Sequence, residues 1–356
     1  MPEPEPTSTA STPSTATASP AGASRLLAPA VRVPLAARER PTISVIMPYY
    51  KGKDVVCAAV RSVLDQTLAA DEIVICDDGS PDDLAAALGD LRAHVRIVRQ
   101  ANGGPASAMN EAARQANGEY VLQLDQDDEF LPRRVEAVSD AIVARPDLDV
   151  VATDTLLEYE GSVVARFLAE TPFAVAQQRE AILQHAFFAW PAIRRTRLLD
   201  VGGYDARFFH AYDWEAFIRL VLDGAVVGMV DEPLYRWHLS PGSITSEGGA
   251  SAEEEIRVLQ ETLKVQPLAP AERAVAQATI VSTRRRGLLL EAKAAVADGR
   301  PDARARALAV VKGDGFGALT RLKAGIAVVS PRLAQRLTRD RYDETERRFG
   351  MYSGGS

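Results

Sequence analysis

Short apolar runs of strand length alternate with helical patterns along the first part of the chain. The strand-like runs span residues 43–48, 72–76, 95–99 and 120–124. Helical patterns separate them, over residues 54–64, 82–91 and 105–116. This alternation predicts an α/β fold with a mostly parallel central sheet and helices on both faces. Ligands of such sheets bind outside the carboxyl ends of the strands, so we expect a cleft there.

The later pattern extends this domain and then changes character. It predicts helices at 131–144 and 214–222, and strands at 149–154, 163–167, 226–230 and 234–238. An aromatic-rich stretch at 187–190 is expected to shape a pocket. Residues 1–40 are rich in Pro, Ser, Thr and Ala, with little to bury, and are predicted to be a disordered tail. The α/β domain is therefore placed at 41–245, and a helical C-terminal region at 246–356.

The helical C-terminal region is rich in Ala and Arg. It could pack on the α/β domain, join two copies into a homo-oligomer, or touch a membrane surface. Residues 316–339 mix basic with apolar side chains. We favour a solvated helical bundle for that stretch over a membrane-binding face.

Composition excludes several classes of protein. The 356 residues carry a formal net charge of −7, which argues against a general nucleic-acid binder. The two cysteines, Cys57 and Cys76, suggest neither a disulfide framework nor a thiolate metal site and are expected to be buried. No run approaches the roughly 20 apolar residues of a membrane span, and the N-terminus lacks a signal-peptide pattern. We expect a cytoplasmic protein.

Acidic residues follow two of the predicted strands. Asp125-Gln126-Asp127-Asp128 comes directly after the run at 120–124, and Asp77-Asp78 follows the run at 72–76. Carboxylates at the end of a buried strand are costly unless they are compensated, and a divalent cation bound through oxygens is a common compensation. The pattern predicts a metal site in the cleft at the strand ends.

Five segments together resemble the family 2 glycosyltransferases of GT-A fold, from about Thr42 to Thr245. They occur in the family's order and are Pro48-Tyr49-Tyr50-Lys51, Asp77-Asp78-Gly79-Ser80, the run from Asn102 to Asn110, Asp125–Asp128, and Gly202-Gly203-Tyr204-Asp205 leading into Tyr212-Asp213-Trp214-Glu215. The resemblance implies that the domain at 41–245 is a catalytic domain. Two positions depart from the family pattern. Met109 stands where the family has an arginine, and Tyr212 stands where the family often has a glutamate.

The resemblance implies a donor side that holds a nucleotide diphosphate sugar. Asp78 would contact the base with Asp77 beside it, although Asp-Gly-Ser is also ordinary turn chemistry. The other donor-binding residues implied are Pro48, Tyr50, Asn102, Gly103 and Asp125. Lys51, where the family has asparagine, is a candidate to replace the contact that Met109 lacks.

The resemblance also implies a metal and a general base. Asp127, Asp128 and His238 would hold Mn²⁺ or Mg²⁺, which neutralises the departing diphosphate. Asp213 would take the proton from the acceptor hydroxyl, although it is equally well placed to cap its helix. The acceptor-side residues are Tyr212, Glu215 as a fallback base or acceptor contact, and Trp190 with Phe188, which core packing would explain as well.

The predicted activity is transfer of one sugar, with inversion, from a nucleotide-diphospho-sugar to an acceptor hydroxyl. UDP is the expected nucleotide, and the acceptor would be a glycan, a lipid-linked molecule or a protein, in surface glycan or polysaccharide assembly. The Gln-x-x-Arg-Trp signature of processive members is not visible, which favours single transfer. Two alternatives stay open: a nucleotidyltransferase, and a catalytically inactive nucleotide-sugar binder consistent with Met109 and Tyr212.

Overall fold

A computed structural model describes residues 26–28, 39–170, 172–184, 190–239 and 248–339. Its strands are β1 (Leu26–Leu27), β2 (Ile43–Tyr49), β3 (Glu72–Asp78), β4 (Arg96–Gln100), β5 (Tyr120–Gln123), β6 (Glu129–Phe130), β7 (Val150–Tyr159), β8 (Ser162–Arg166), β9 (Ala192–Arg194) and β10 (Val227–Leu239). Within the described residues they form one sheet in the order β1-β10-β7-β9-β5-β2-β3-β4, with β6 on β10 and β8 on β7.

Thirteen helices accompany the sheet in the described part of the chain. They are α1 (Val56–Leu64), α2 (Leu84–Leu88), α3 (Pro105–Gln115), α4 (Arg134–Ala144), α5 (Phe167–Glu170), α6 (Gln178–Leu183), α7 (Arg195–Asp200), α8 (Tyr212–Leu222), α9 (Gly248–Val265), α10 (Pro270–Ala297), α11 (Ala303–Lys312), α12 (Ala318–Val329) and α13 (Pro331–Arg339). None of them is both long and apolar enough to cross a membrane.

The centre of the sheet is buried on both faces. Strand β2 pairs in parallel with β3 and β5, so their carboxyl ends meet at one edge. Successive residues of β2 feed two hydrophobic cores: Ile46 packs in one, and Val45 and Met47 pack in the other. Because helices cover both faces, these strands appear in the sequence as nearly continuous apolar runs.

Several features of the sheet were not predicted, among them the two-residue strand β6 on β10. The short strand β9 lies antiparallel between β5 and β7. Leu26 and Leu27, inside the tail predicted to be disordered, pair with β10. The two strands predicted at 226–230 and 234–238 are one strand, β10, whose register against β7 shifts around Pro233. Proline has no backbone N–H to donate, which explains the interruption of the pattern.

The helical region after residue 245 does not behave as one unit. Val258 and Leu259 of α9 and Ala276 of α10 lie in the same core as Trp214 and Phe217 of the α/β domain. A separate small core, built largely from alanines, joins the end of α10 to α11, α12 and α13. The α9 helix and the first half of α10 thus share a core with the α/β domain, while the boundary at 245 stays a prediction.

The two cysteines differ in burial. Cys76 is buried in β3, as predicted, whereas Cys57 is only half-buried and its thiol donates to the carbonyl of Ala87. Both are free thiols.

Candidate active site

Asp77 ends β3 and stabilises the turn that follows it. Its Oδ1 accepts the backbone N–H of Ser80 at 2.8 Å, and its Oδ2 accepts from the Arg99 guanidinium at 2.7 Å. Asp77 therefore has the structural role in a turn that the Asp-Asp-Gly-Ser sequence suggests. A role for Asp77 beside the nucleotide base stays a prediction.

Asp78 holds the glycine loop that precedes α3. Its Oδ1 accepts from Gly103 N at 2.8 Å and from the Gln100 side chain at 2.7 Å, and its Oδ2 accepts from Gly104 N at 2.8 Å. Gly104 adopts a φ of 85°, which disfavours side chains other than hydrogen. Asp78 therefore connects two of the sequence-predicted donor segments, with limited acceptor capacity left for a base.

The loop after β2 is clamped to the acidic cluster. The Gln126 side chain accepts from Tyr50 N at 2.9 Å and donates to Tyr50 O at 3.0 Å. Tyr50 itself is 41% exposed, as a ring available to stack on a base would be, whereas Pro48 lies within β2 beside Cys76. Lys51 has a left-handed φ of 53° and its ammonium lies 4.9 Å from the Tyr50 ring centre.

Asp125 faces an aromatic cluster on one side and the predicted base on the other. Its Oδ2 accepts from the Trp190 indole N–H at 2.7 Å. Trp190 in turn stacks on Tyr235, with ring centres 4.9 Å apart. Burial raises the pKa of Asp125 to about 7, and the charges of Asp127 and Asp213 add to the rise.

Asp128 is used internally. Its Oδ2 accepts from the Tyr235 hydroxyl and its Oδ1 from the backbone N–H of His238, each at 2.8 Å. Burial raises its pKa well above the ordinary value. Each carboxylate oxygen accepts one hydrogen bond and keeps a lone pair, so the assignment of Asp128 as a metal ligand stays a prediction.

Asp127 lies near His238, the other residue predicted to hold the metal. Burial raises its pKa, and the neighbouring His238 imidazole opposes that rise, which places the two side chains together. The His238 ring also lies between Glu129 and Glu158, with N–O distances of 3.8 and 3.4 Å.

The acidic cluster fits a divalent cation through the chemistry of its donors. In the described part of the chain, Asp125, Asp127 and Asp128 form no salt bridge with a lysine or arginine, so their burial is compensated only by hydrogen bonds and by the nearby His238. Among all the residues that the structure describes, no group of three or more His, Cys, Asp or Glu side chains is arranged to hold a metal ion without other ligands. One or two protein carboxylates with substrate phosphates is the usual arrangement for Mg²⁺.

Asp213 lies in the first turn of α8 and faces the acidic cluster. The helix begins at Tyr212 after Ala211, so Asp213 is not the N-cap residue, and that alternative is corrected. Its Oδ1 still accepts the N–H of Trp214 at 2.7 Å. Burial nevertheless raises the pKa of Asp213 to about 7, near the value that suits a general base.

The other acceptor-side residues separate into two groups. Burial raises the pKa of Tyr212, and Asp125 and Asp213 lie close enough for their charges to add to the rise. The Tyr212 ring meets the Tyr204 ring edge-on at 5.6 Å. Glu215 instead pairs with Arg219 at 2.5 Å and lines a cleft of about 410 Å³ against α9. The geometry therefore gives Glu215 a structural partner and does not bring it to the Asp213 side.

Three functional positions were missed or incompletely assigned by sequence reasoning. The Tyr204 hydroxyl is buried near Asp125 and Asp213 and makes no hydrogen bond of normal geometry. Asn110 accepts from Tyr204 N and donates to Tyr204 O, each at 2.7 Å, and so fixes the Gly202-Gly203 turn. Asn110 and Tyr204 stood in quoted motifs, so their spacing was the signal that could have found them.

Glu254 of α9 is the third position. One of its carboxylate oxygens accepts three successive backbone N–H groups, from Phe209, His210 and Ala211, at 2.8, 2.6 and 3.2 Å. These groups directly precede α8 and would otherwise lack partners at a helix N-terminus. A residue 41 positions beyond Asp213 thus fixes the start of the helix that carries it.

Several predicted positions complete the description. Asn102 and Gly103 are exposed at the rim of the glycine loop. Met109 is fully buried in the hydrophobic core, so it does not supply the polar contact that the family arginine would make. Trp190 is part of the site, but as a hydrogen-bond donor to Asp125. Phe188 lies outside the described residues.

A sequence model of the family described as "Glycosyl transferase family 2" matches residues 44–209. The chain is 32% identical over 184 residues to a chondroitin synthase of Pasteurella multocida, which covers 51% of this chain and 19% of that protein. It is 31% identical over 186 residues to a chondroitin synthase of Escherichia coli, covering 51% and 26%. The chain thus spans about a fifth to a quarter of the length of these two relatives.

Solved structures share the fold at low sequence identity. TarS residues 1–349 of S. aureus, in complex with UDP-GlcNAc, aligns over 85% of this chain and 91% of its own, with a TM-score of 0.56 and 17% identity. The mannosyltransferase PcManGT of Pyrobaculum calidifontis, in complex with GDP-Man and Mn²⁺, aligns over 91% and 89%, with a TM-score of 0.55 and 16% identity. The predicted GT-A fold with a helical C-terminal region is confirmed.

Proposed function

We propose that this chain, whose residues 44–209 match the model of glycosyl transferase family 2, transfers one sugar from a nucleotide-diphospho-sugar to an acceptor hydroxyl with inversion. The observation that carries the proposal is the position of Asp213, which is near enough to Asp125 at the acidic end of β5 for its charge to act there, and whose own pKa burial raises to about 7. A single carboxylate on the acceptor side suits one in-line displacement.

In this proposal Asp213 accepts the proton of the acceptor hydroxyl as that oxygen attacks the sugar. Asp125, fixed by the Trp190 indole, accepts a hydrogen bond from the donor sugar. The exposed ring of Tyr50 stacks on the base, and Asp78 keeps the glycine loop ready for the diphosphate. Tyr212 and the Tyr204 hydroxyl border the acceptor oxygen.

Asp127 and His238 are the residues that would hold a divalent cation, Mn²⁺ or Mg²⁺, together with the donor phosphates. When bound, such an ion supplies charge neutralisation for the departing diphosphate. Asp128 contributes by fixing the His238 backbone. The Mn²⁺ bound to the mannosyltransferase of the same fold supports this assignment.

The donor nucleotide is proposed to be UDP, as in the UDP-GlcNAc complex of TarS. The acceptor is proposed to be a growing glycan or a lipid-linked sugar, by analogy with the chondroitin synthases that share the family domain. A cytoplasmic location and a homo-oligomer remain predictions from the sequence.

The decisive experiment compares sugar transfer by the wild type and Asp213→Asn. With Mn²⁺ and a panel of nucleotide sugars, the wild type should release nucleoside diphosphate, and a chelator should abolish the release. Loss of a general base should lower kcat by about 10²–10⁴-fold, with donor affinity retained. The matched control is Asp223→Asn at the far end of α8, where the carboxylate pairs with Arg197.

Two outcomes would contradict the proposal. Transfer by Asp213→Asn at the wild-type rate would exclude Asp213 as the base. A wild type that binds nucleotide sugars but never releases the diphosphate would instead support the inactive binder.

A further inference from the structure

Helix α12 carries apolar side chains on its solvent side. Leu319, Leu322 and Val329 are 64%, 63% and 80% exposed. At 3.6 residues per turn they fall within about 80° of one another around the helix axis. Leu333 of the next helix, α13, adds a fourth large apolar side chain that is 49% exposed. Isolated exposed leucines are ordinary, but a stripe along one helix indicates a contact surface.

Basic residues occur in the same two helices as these apolar side chains. From Ala318 to Arg339 the sequence contains five basic residues and no acidic one, namely Arg321, Lys323, Arg332, Arg336 and Arg339. Arg321 is directed inward, onto the carbonyls of Val311, Gly313 and Phe316.

Lys323, Arg332 and Arg336 are exposed, and none of the three forms an ion pair with another described residue. The rest of the chain is strongly acidic, since the whole molecule has a net charge of −7. Positive charge is therefore concentrated at one end of the molecule.

We propose that the stripe of Leu319, Leu322, Val329 and Leu333, with Lys323, Arg332 and Arg336 beside it, binds an anionic lipid bilayer. An apolar face flanked by basic residues is the pattern of a helix that lies in the membrane interface. A second copy of the chain fits less well, because a symmetric contact through this face would bring like charges together. This proposal departs from the solvated bundle that the sequence favoured for this stretch.

The mode of attachment follows from the position of the face. The apolar side chains enter the boundary between headgroups and acyl chains, and the basic side chains contact lipid phosphates. Contact with lipid is expected through α12 and α13, which pack on the end of α10 through the small alanine core. The proposal does not depend on which sugar, if any, the active site transfers.

Sedimentation of the full-length chain with lipid vesicles tests the proposal. The chain should pellet with vesicles containing phosphatidylglycerol and remain in the supernatant with pure phosphatidylcholine vesicles. Binding should weaken at 0.5 M salt because the Debye length then shortens to well below 10 Å.

Matched variants separate the apolar from the basic contribution. Lys323→Gln/Arg332→Gln/Arg336→Gln should reduce the partition coefficient by about fivefold for each basic residue removed, roughly 100-fold in all. Leu319→Gln/Leu322→Gln should abolish pelleting at the same lipid concentration. Val163→Gln, at an apolar position 54% exposed on β8, is the control and should bind as the wild type does. Circular dichroism should report the same melting temperature for all of these proteins.

Three results would overturn the proposal. The first is a full-length chain that pellets with neither kind of vesicle. The second is a dimer that Leu319→Gln/Leu322→Gln converts to a monomer, since a second copy would then cover the face. The third is vesicle binding that appears only after deletion of residues 340–356, since that segment would then occupy the face.

Discussion

The Asp213 carboxylate is held between two opposing influences on its charge. The N–H of Trp214 and the start of α8 favour the ionised form, whereas burial favours the protonated form. Burial prevails, and the pKa rises to about 7. A base with this pKa is partly ionised at neutral pH and accepts a proton with little penalty, which is the compromise that proton transfer requires.

The same pKa predicts a stability cost at high pH. Because the folded-state pKa of Asp213 exceeds its unfolded value of 3.8, the folded state binds the proton more tightly, and stability falls as pH rises from about 4 to 7. Asp213→Asn should therefore raise the melting temperature by several degrees at pH 8 and by progressively less toward pH 4. Calorimetry at both pH values checks this, and a difference independent of pH would contradict it.

Lys51 adopts a left-handed backbone conformation that asparagine tolerates better than lysine does. Lys51→Asn should therefore stabilise the fold by up to about 1 kcal/mol. It should also weaken nucleotide-sugar binding if the ammonium contacts the diphosphate. Urea unfolding and calorimetric titration measure the two effects separately.

Glu160→Asn is the matched control for Lys51→Asn. Glu160 has a φ of 48° in the turn between β7 and β8, away from the site. The Glu160→Asn variant should be more stable than the wild type and should bind the nucleotide sugar with unchanged affinity. Equal loss of donor binding in both variants would exclude a specific role for Lys51.

The position of a site residue could be predicted from the sequence where a short motif places carboxylates at the end of a strand. The sequence could place Asp125, Asp127 and Asp128 together but could not choose between them, because that choice depends on the distant partners Tyr235 and His238. Nor could it reveal that Trp190 donates to Asp125, since the connection joins two loops 65 residues apart.

At the scale of elements, α9 and the start of α8 form one functional unit. Glu254 gathers the N–H groups of residues 209–211, and its neighbour Glu255 is close enough for its charge to raise the pKa of Asp213. Arg286 of α10 pairs with Glu255 and limits that effect. The predicted catalytic domain ended at residue 245, before Glu254, Glu255 and Arg286.

Glu254→Ala should lower kcat by about tenfold or more and leave the donor KM unchanged, because the first turn of α8 would no longer be fixed relative to the acidic cluster. The loss of three hydrogen bonds to a carboxylate should also cost about 1–3 kcal/mol of folding stability. Steady-state kinetics and urea unfolding are the measurements.

Glu253→Ala, at the exposed neighbouring position, is the control and should match the wild type in both measurements. A Glu254→Ala enzyme that loses donor affinity while kcat is retained would contradict the positioning role.

The strand and helix pattern predicted most elements within a few residues, because buried parallel strands are continuous apolar runs. The exceptions have tertiary causes. Strand β9 has three residues, too few for any period to be visible, and its pairing with β5 and β7 defines it. Strand β1 exists only through its pairing with β10.

At the scale of the whole molecule, two cores of unequal size share one long helix. The first half of α10 is packed into the α/β body, and its last turns pack with α11–α13 through alanines. A chain ending at residue 299 should therefore keep the fold of the α/β body and its turnover of nucleotide sugar. A chain ending at residue 247 lacks α9 and should lose both.

Limited proteolysis and turnover assays on the two truncated chains check this division. Unfolding of the chain that ends at residue 299 would show that the small core contributes to the α/β body, contrary to the two separate hydrophobic clusters.

The alanine-based core between α10 and α11–α13 has a consequence for how such proteins diversify. Small side chains make a shallow contact that depends little on detailed shape, so the terminal helices can be exchanged without redesigning the body that they leave. A different set of terminal helices in place of α11–α13, with other side chains on its surface, would then bring an unchanged catalytic centre to a different cellular surface. Selection could thus change the location of the enzyme in the cell independently of the specificity of its reaction.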